Sequence, residues 1–230
     1  MYKRQGVKLQ LKISRTSAET TKYVLDQDVE FVFTNHLFSP EREALGWKVF
    51  GRRLTPAVHG QIIVSADSAV TELAQLEGRE VVFPGPEALV SYKVPSAHLL
   101  ARKITVRPVF GGNMDGALAQ LYSGKVAACG CNSQLAEAHA RRENRKYRVL
   151  WTSEPFHDLA LMAASKVPER EVRAVAAAFA EMHKDPKGLE TLTQVSQLVG
   201  LTHEAHFLAS DGREYDAYRR FYQTAPASLR

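Results

Sequence analysis

The residue types that most often carry chemistry are sparse in this 230-residue chain and fall in a few places. His157 and Asp158 stand side by side after Pro155-Phe156. Such a pair can supply half of a relay in which a carboxylate orients an imidazole. No nucleophile nearby is marked by its context, so ligand contact or hinge hydrogen bonding is the stronger reading. His203 and His206 lie three apart, a spacing that puts two imidazoles on one helical face, with Glu204 and Asp211 close in sequence. Without a His-Glu-x-x-His pattern, no metal is expected there. Cys129 and Cys131 are one residue apart, which fits neither a zinc pair nor a disulfide framework. Small buried apolar side chains at a strand end are expected instead. There is no Gly-x-Ser-x-Gly elbow and no Walker lysine loop, and Gly111-Gly112-Asn113 is too short for a nucleotide fingerprint. No catalytic residue and no cofactor follow from these patterns.

The elements that must position such residues come from an ordinary globular composition, 45% hydrophobic and 24% charged. At roughly 100–200 residues per domain, the length allows one large α/β domain or two lobes. The net charge of +5 is mildly basic. Its densest run, Arg141–Arg148, is broken by Glu143 and Asn144 and reads as a solvated helix end, so no nucleic-acid partner is expected. A modest positive balance does suit attraction of small anions. No stretch approaches the ~20 apolar residues of a transmembrane helix. Met1–Gln5 is short and polar, so no signal peptide is visible.

Val7–Ile13 alternates apolar and polar and predicts a strand, followed by a helix from about Ser14 to Leu25. Asp28–Thr34, Trp47–Leu54 and Gln61–Ser65 read as further strands, with a short helix near Pro40–Leu45. From Thr71 onward, strand, turn and helix repeat. Strands are predicted at Glu80–Phe83, Ile104–Phe110, Val126–Cys129 and Tyr147–Trp151. Helices are predicted at Leu89–Arg102, Met114–Ser123 and Ser133–Arg142, the last with Asn132 as its N-cap. This alternation is the signature of a mostly parallel sheet wrapped by helices, with ligands beyond the carboxyl ends of the strands. Three strand-to-helix turns stand out: Pro84–Ser91, Gly111–Asp115 and Gly130–Ser133. The strand Leu159–Ala164 and helices at Pro168–His183 and Pro186–Val195 follow. A helical tail from Leu201 to Tyr222 carries a core-facing stripe of Tyr215, Tyr218, Phe221 and Tyr222.

Several segments together resemble the PhnD-like solute-binding proteins of phosphate/phosphite/phosphonate ABC importers. They are Ile62–Ser68 with Leu73–Gly78 and Val81-Val82-Phe83, then Tyr92-Lys93-Val94-Pro95, Asn113–Ala117, Leu121–Val126 and Tyr147–Pro155. The match runs from about Asp28 to Leu192 and is specific in order and spacing. It implies an α/β, two-lobed fold of the type 2 periplasmic-binding-protein kind, each lobe a mixed sheet flanked by helices, with two crossover strands. Lobe 1 would combine residues 1–65 and 156–230, and lobe 2 would span 66–155. Family members begin with a further strand and helix, so an N-terminally truncated lobe 1 lacking a targeting signal is expected. The resemblance also implies a small-molecule ligand clamped between the lobes, membrane-embedded ABC permease partners, a periplasmic or extracytoplasmic location, and no enzymatic turnover. The binding protein itself is expected to be monomeric.

One departure bears on the ligand. Where the family's phosphonate binders are rich in Ser and Thr before the tyrosine, this chain has Glu87, Ala88, Leu89 and Val90, with Ser91 alone hydroxylated. A carboxylate there repels a doubly charged phosphonate. The expected ligand set is Asn35, His36, Glu87, Ala88, Leu89, Val90, Ser91, Tyr92, Asn113, Asn132, Phe156 and His157. These suit a small polar or anionic organic ligand. Two alternatives stay open: the sensing domain of a signalling protein, and a thiamine-pyrimidine-synthase-like enzyme using the cysteines and histidines.

Overall fold

The computed structural model describes residues 6–198 and 206–230. In chain order the elements are α1 (Ser17–Leu25), β1 (Phe31–Thr34), α2 (Pro40–Glu43), β2 (Lys48–Arg53), β3 (Val58–Ser65), β4 (Glu80–Phe83), α3 (Val94–Ala101), β5 (Arg107–Phe110), α4 (Met114–Tyr122), β6 (Ala128–Asn132), α5 (Ser133–Arg142), β7 (Tyr147–Phe156), β8 (Ala160–Ala163), α6 (Glu169–Ala180), α7 (Pro186–Leu198), β9 (Phe207–Ala209) and α8 (Asp216–Thr224). They divide into two compact units. Unit 1 holds Glu19–Ala57 and His157–Gln223 with the stretch before Thr16, and unit 2 holds Val58–Phe156, Thr224–Arg230 and Thr16–Ala18. The whole of β3 belongs to unit 2, so the chain changes unit at Ala57/Val58 and not after Ser65. Backbone pairing of β3 with both β6 and β7 fixes that assignment.

The sheet of unit 2 has the order β5-β4-β6-β3-β7. Its first three strands are parallel, while β3 runs antiparallel to β6 and to β7. Alternate residues feed two cores. Ile62, Val64, Val81 and Phe83 pack with Leu76 and Leu99. Ile63, Val82, Cys129 and Cys131 pack with Leu118 and Leu121. The period-2 split is what a strand buried on both faces produces. Both cysteines are free and fully buried, and that burial pushes their thiol pKa values up.

Unit 1 has a four-stranded sheet of order β1-β8-β2-β9. All three of its described pairings are antiparallel, because β8 runs against both β1 and β2, and β2 against β9. Two expectations need correction here. Val7–Ile13 forms no strand, and Leu11 and Ile13 are 81% and 75% exposed. Alternation makes a strand only where a neighbour supplies hydrogen bonds and a face to bury, and none of the described residues does so. The tail is also not one helix: Phe207–Ala209 pairs with β2 as β9, and Gly212, at φ +85°, breaks the chain before α8. Residues 201–205, including His203 and Glu204, lie outside the described residues.

Candidate ligand-binding site

In unit 2, the three adjacent parallel strands β5, β4 and β6 are each followed by a turn into a helix, α4, α3 and α5 respectively. Asn113 caps α4 by accepting a hydrogen bond from the Gly116 N–H at 2.8 Å. Asn132 caps α5 by accepting from the N–H groups of Gln134 and Leu135 at 3.0 and 3.3 Å. Their side-chain oxygens are thus committed to the helices, and their amide NH2 groups are the donors left for a ligand.

After β4 the chain turns through Pro84 and Gly85 into a five-residue π turn, Leu89–Lys93, that leads into α3. The N–H groups of Tyr92 and Lys93 both donate to the Ala88 carbonyl, at 2.9 and 3.1 Å. Pro95 has no N–H to give this turn, which loosens the helical ladder at that point. The turn lies down on the sheet at two glycines. A Cβ on Gly60 would come 2.4 Å from the Val90 carbonyl oxygen, and one on Gly130 would come 2.6 Å from that of Ser91. Only a residue without a side chain admits so close an approach of backbone to backbone.

This packing divides the expected ligand residues of unit 2 by exposure. Leu89, Val90 and Ser91 are buried, Ser91 to 7% exposure, and Phe156 at the end of β7 is buried as well. Their side chains fill the interior of unit 2, and the half-exposed members of the turn are Glu87, Ala88 and Tyr92. Tyr92 packs edge-on against Phe83 and Phe110, at centroid distances of 4.9 and 5.1 Å. Burial raises its pKa, so the phenol stays protonated. Lys93, which the expected ligand set leaves out, is buried and donates to the Arg230 backbone oxygen at 3.4 Å.

In unit 1, three expected residues gather at the ends of two neighbouring strands. Pairing of Thr34 with Ala160 sets the end of β1 beside the start of β8. Asn35 donates to the Tyr218 hydroxyl at 3.1 Å, and that hydroxyl donates to the His157 carbonyl at 2.6 Å. The His36 ring nitrogen Nδ1 lies 3.3 Å from the Thr21 hydroxyl, and its carbonyl accepts from Arg42 at 2.8 Å. The His157 imidazole is held below its ordinary pKa, by burial first and then by the Arg52 charge, with Glu214 opposing. It is therefore neutral at physiological pH, one ring nitrogen donating and the other accepting.

Asp158 is not the orienting partner of His157. Its carboxylate is taken by Arg53, through Nε at 3.0 Å and through Nη2. The relay suggested by adjacency in sequence is therefore absent, because Arg53 and not His157 holds the carboxylate. Arg52 pairs with Glu214 at 3.0 Å. Sequence reasoning missed Arg52, Arg53 and Glu214, and read Tyr218 as core without its hydroxyl contacts. A signal did exist: two arginines at the end of a strand face opposite sides, and both need partners if the sheet is covered. Among the described residues, no group of three or more His, Cys, Asp or Glu could hold a metal ion. No helix among them is long and apolar enough to cross a membrane.

Residues 1–204 match the family model of the phosphonate ABC transporter periplasmic substrate-binding proteins. The chain belongs to this family. Its solved structural neighbours carry the same mixed α/β architecture. A binding-protein component of an ABC phosphonate transporter from Pseudomonas aeruginosa superposes with a TM-score of 0.78 at 14% identity, covering 96% of this chain and 77% of that one. A phosphonate-binding protein from Prochlorococcus marinus, solved with methylphosphonate, gives 0.77 at 13% identity, covering 96% and 87%. A Xanthomonas citri protein bound to chloride gives 0.72 at 14%, covering 93% and 84%. At these identities the likeness is one of fold. No curated protein matches the chain. This periplasmic substrate-binding family member thus has the type 2 binding-protein fold that its sequence resembles.

Proposed function

We propose that this protein captures a small polar or anionic solute for an ABC permease, outside the cytoplasm and without chemical turnover. The observation that carries the reading is the set of turns into helices or the π turn that follows each of the adjacent parallel strands β5, β4 and β6. Helix N-termini present N–H donors and positive dipole ends to a bound group. Within unit 2 the residues proposed as ligand contacts are Glu87, Ala88, Tyr92, Asn113 and Asn132, and within unit 1 they are Asn35, His36 and His157. Catalysis by the cysteines has no support, since both thiols are buried in the core and their pKa values are raised. The protein acts as a monomer and takes no nucleic acid.

The Prochlorococcus marinus relative was solved with methylphosphonate. Glu87, and the burial of the one hydroxyl in the turn, Ser91, argue for a different solute here. The test is a thermal-shift panel of phosphate, phosphonates, sulfonates, amino acids and thiamine precursors. A true ligand at 100 times its Kd stabilises the fold by about 2.7 kcal/mol, visible as a rise in Tm. A flat response across the panel would sink the importer reading. Submicromolar binding of methylphosphonate would overturn only the choice of solute.

A further inference from the structure

His59 stands at the start of β3, at the same end of the unit 2 sheet as the strand-to-helix turns. Pairing of Gly60 with Asn132 sets it beside the end of β6, and its N–H donates to the Ser133 hydroxyl at 3.1 Å. Gly60, the next residue, is the one that lies under the Val90 carbonyl of the π turn. Alternation along the strand turns the His59 side chain to the other face, where Ile63 packs with Ala136 of α5. The imidazole is thus placed where α5 begins.

The ring is held in one orientation. His59 pairs with Pro155 and Gln61 with Thr152, so two steps along β3 face three along β7. The extra residue makes a bulge, a device that re-aims groups next to functional sites. Here it presents Ser153. The Ser153 hydroxyl accepts from the Gly60 N–H at 2.9 Å, and the Ser153 carbonyl oxygen lies 2.9 Å from His59 Nδ1. A carbonyl oxygen can only accept, so Nδ1 carries the hydrogen and the neutral ring offers Nε2 as a bare acceptor. Nε2 has no partner among the described residues and is not closed off, the residue being half-exposed. The His98 ring of the same unit differs, since its Nε2 already accepts from Arg102 at 2.8 Å.

We propose that His59 is a recognition residue of the solute site, its Nε2 accepting a hydrogen bond from an O–H or N–H group of the solute. This rests on the solute-binding reading above and narrows it to solutes that carry a donor of their own. The adjoining strand end supplies the opposite kind of group, because the Asn132 amide NH2 is left to donate. An acceptor and a donor on neighbouring strand ends fit a solute that presents one of each, such as a hydroxy acid or a hydroxysulfonate. An analogue without the donor leaves Nε2 unpaired on binding and is disfavoured for that reason.

The test uses pairs of compounds that differ by that donor: ethanesulfonate and isethionate, methylphosphonate and hydroxymethylphosphonate, propionate and lactate. Isothermal titration of the full chain is expected to show the donor-bearing member of a bound pair binding roughly tenfold tighter or more. His59→Asn keeps a short amide to reach the Ser153 carbonyl and removes Nε2, so it should abolish the preference. The unliganded Tm of the variant shows that it is folded. Where it is not, His59→Phe, which keeps the volume of the ring, is read in the same way. Equal affinity for both members of a pair in the wild type would overturn the proposal. So would a preference that survives the loss of Nε2. If the wild type binds none of the six compounds, nor any in the panel above, it is the solute-binding reading that fails.

Discussion

His157 is constrained at both ends of its residue. Its carbonyl accepts from the buried Tyr218 hydroxyl, and its imidazole is half-buried beside Arg52 and Glu214. Burial and the Arg52 charge both disfavour the imidazolium, so the folded pKa lies below the ordinary 6.5. Between those two values the unfolded chain binds more protons than the folded one, so stability is lost as pH falls through that window. Below the folded value the loss is complete and levels off. His157→Gln removes this contribution. Urea midpoints at pH 7.5 and about pH 5 should therefore fall further for wild type than for the variant. A parallel fall in both proteins would show that the imidazole is not held below its ordinary value. His157 itself was legible in the sequence as a polar residue at the entry to a strand. Its partners were not, because Tyr218 and Glu214 lie about sixty residues further on and only the folded chain brings them back.

The strand-to-helix turns were readable as elements for a physical reason. Asn113 and Asn132 are N-cap types standing directly before apolar helical periodicity, and glycines punctuate the helix ends. What periodicity could not reveal is the π turn at Leu89–Lys93, which turns Leu89, Val90 and Ser91 inward. That geometry depends on glycines in strands far away in sequence, Gly60 and Gly130. It leads to a prediction at the scale of the element. In Gly130→Ala the new methyl would sit 2.3 Å from the Phe83 ring as well as 2.6 Å from the Ser91 oxygen, so the turn must lift off the sheet. Overpacking of this kind costs about 1–3 kcal/mol. Denaturant titration should show that loss, and the loss of solute affinity should exceed it if the turn forms part of the binding surface. Gly85→Ala is the control, because a Cβ there meets nothing within 4 Å.

At the scale of the molecule, the order of elements in unit 2 was legible because β4, β5 and β6 are each followed by a helix. The division of the chain was less so. Most of the C-terminal region belongs to unit 1, but the last residues, Thr224–Arg230, return to unit 2. Nothing in their composition marks that return, since it depends on which surface is left uncovered. Ala225 and Leu229 are buried there, and the Arg230 backbone oxygen accepts from the buried Lys93. Removing residues 225–230 would expose the apolar surface that Leu229 covers and take from Lys93 one of its acceptors. Burial of one leucine is worth about 1.5–3 kcal/mol, so with the lost hydrogen bond the deletion should cost unit 2 about 2–4 kcal/mol. The two tryptophans allow the effect to be localised, because Trp47 lies in unit 1 and Trp151 in unit 2. In a Trp47→Phe background, fluorescence reports Trp151 alone, and its unfolding midpoint should move to lower denaturant on deletion. An unmoved Trp151 transition would mean that the C-terminal residues contribute nothing to the core of unit 2. If the transition moves and solute affinity falls with it, Lys93 is the link to examine, since it sits at the end of the turn that carries Glu87 and Tyr92.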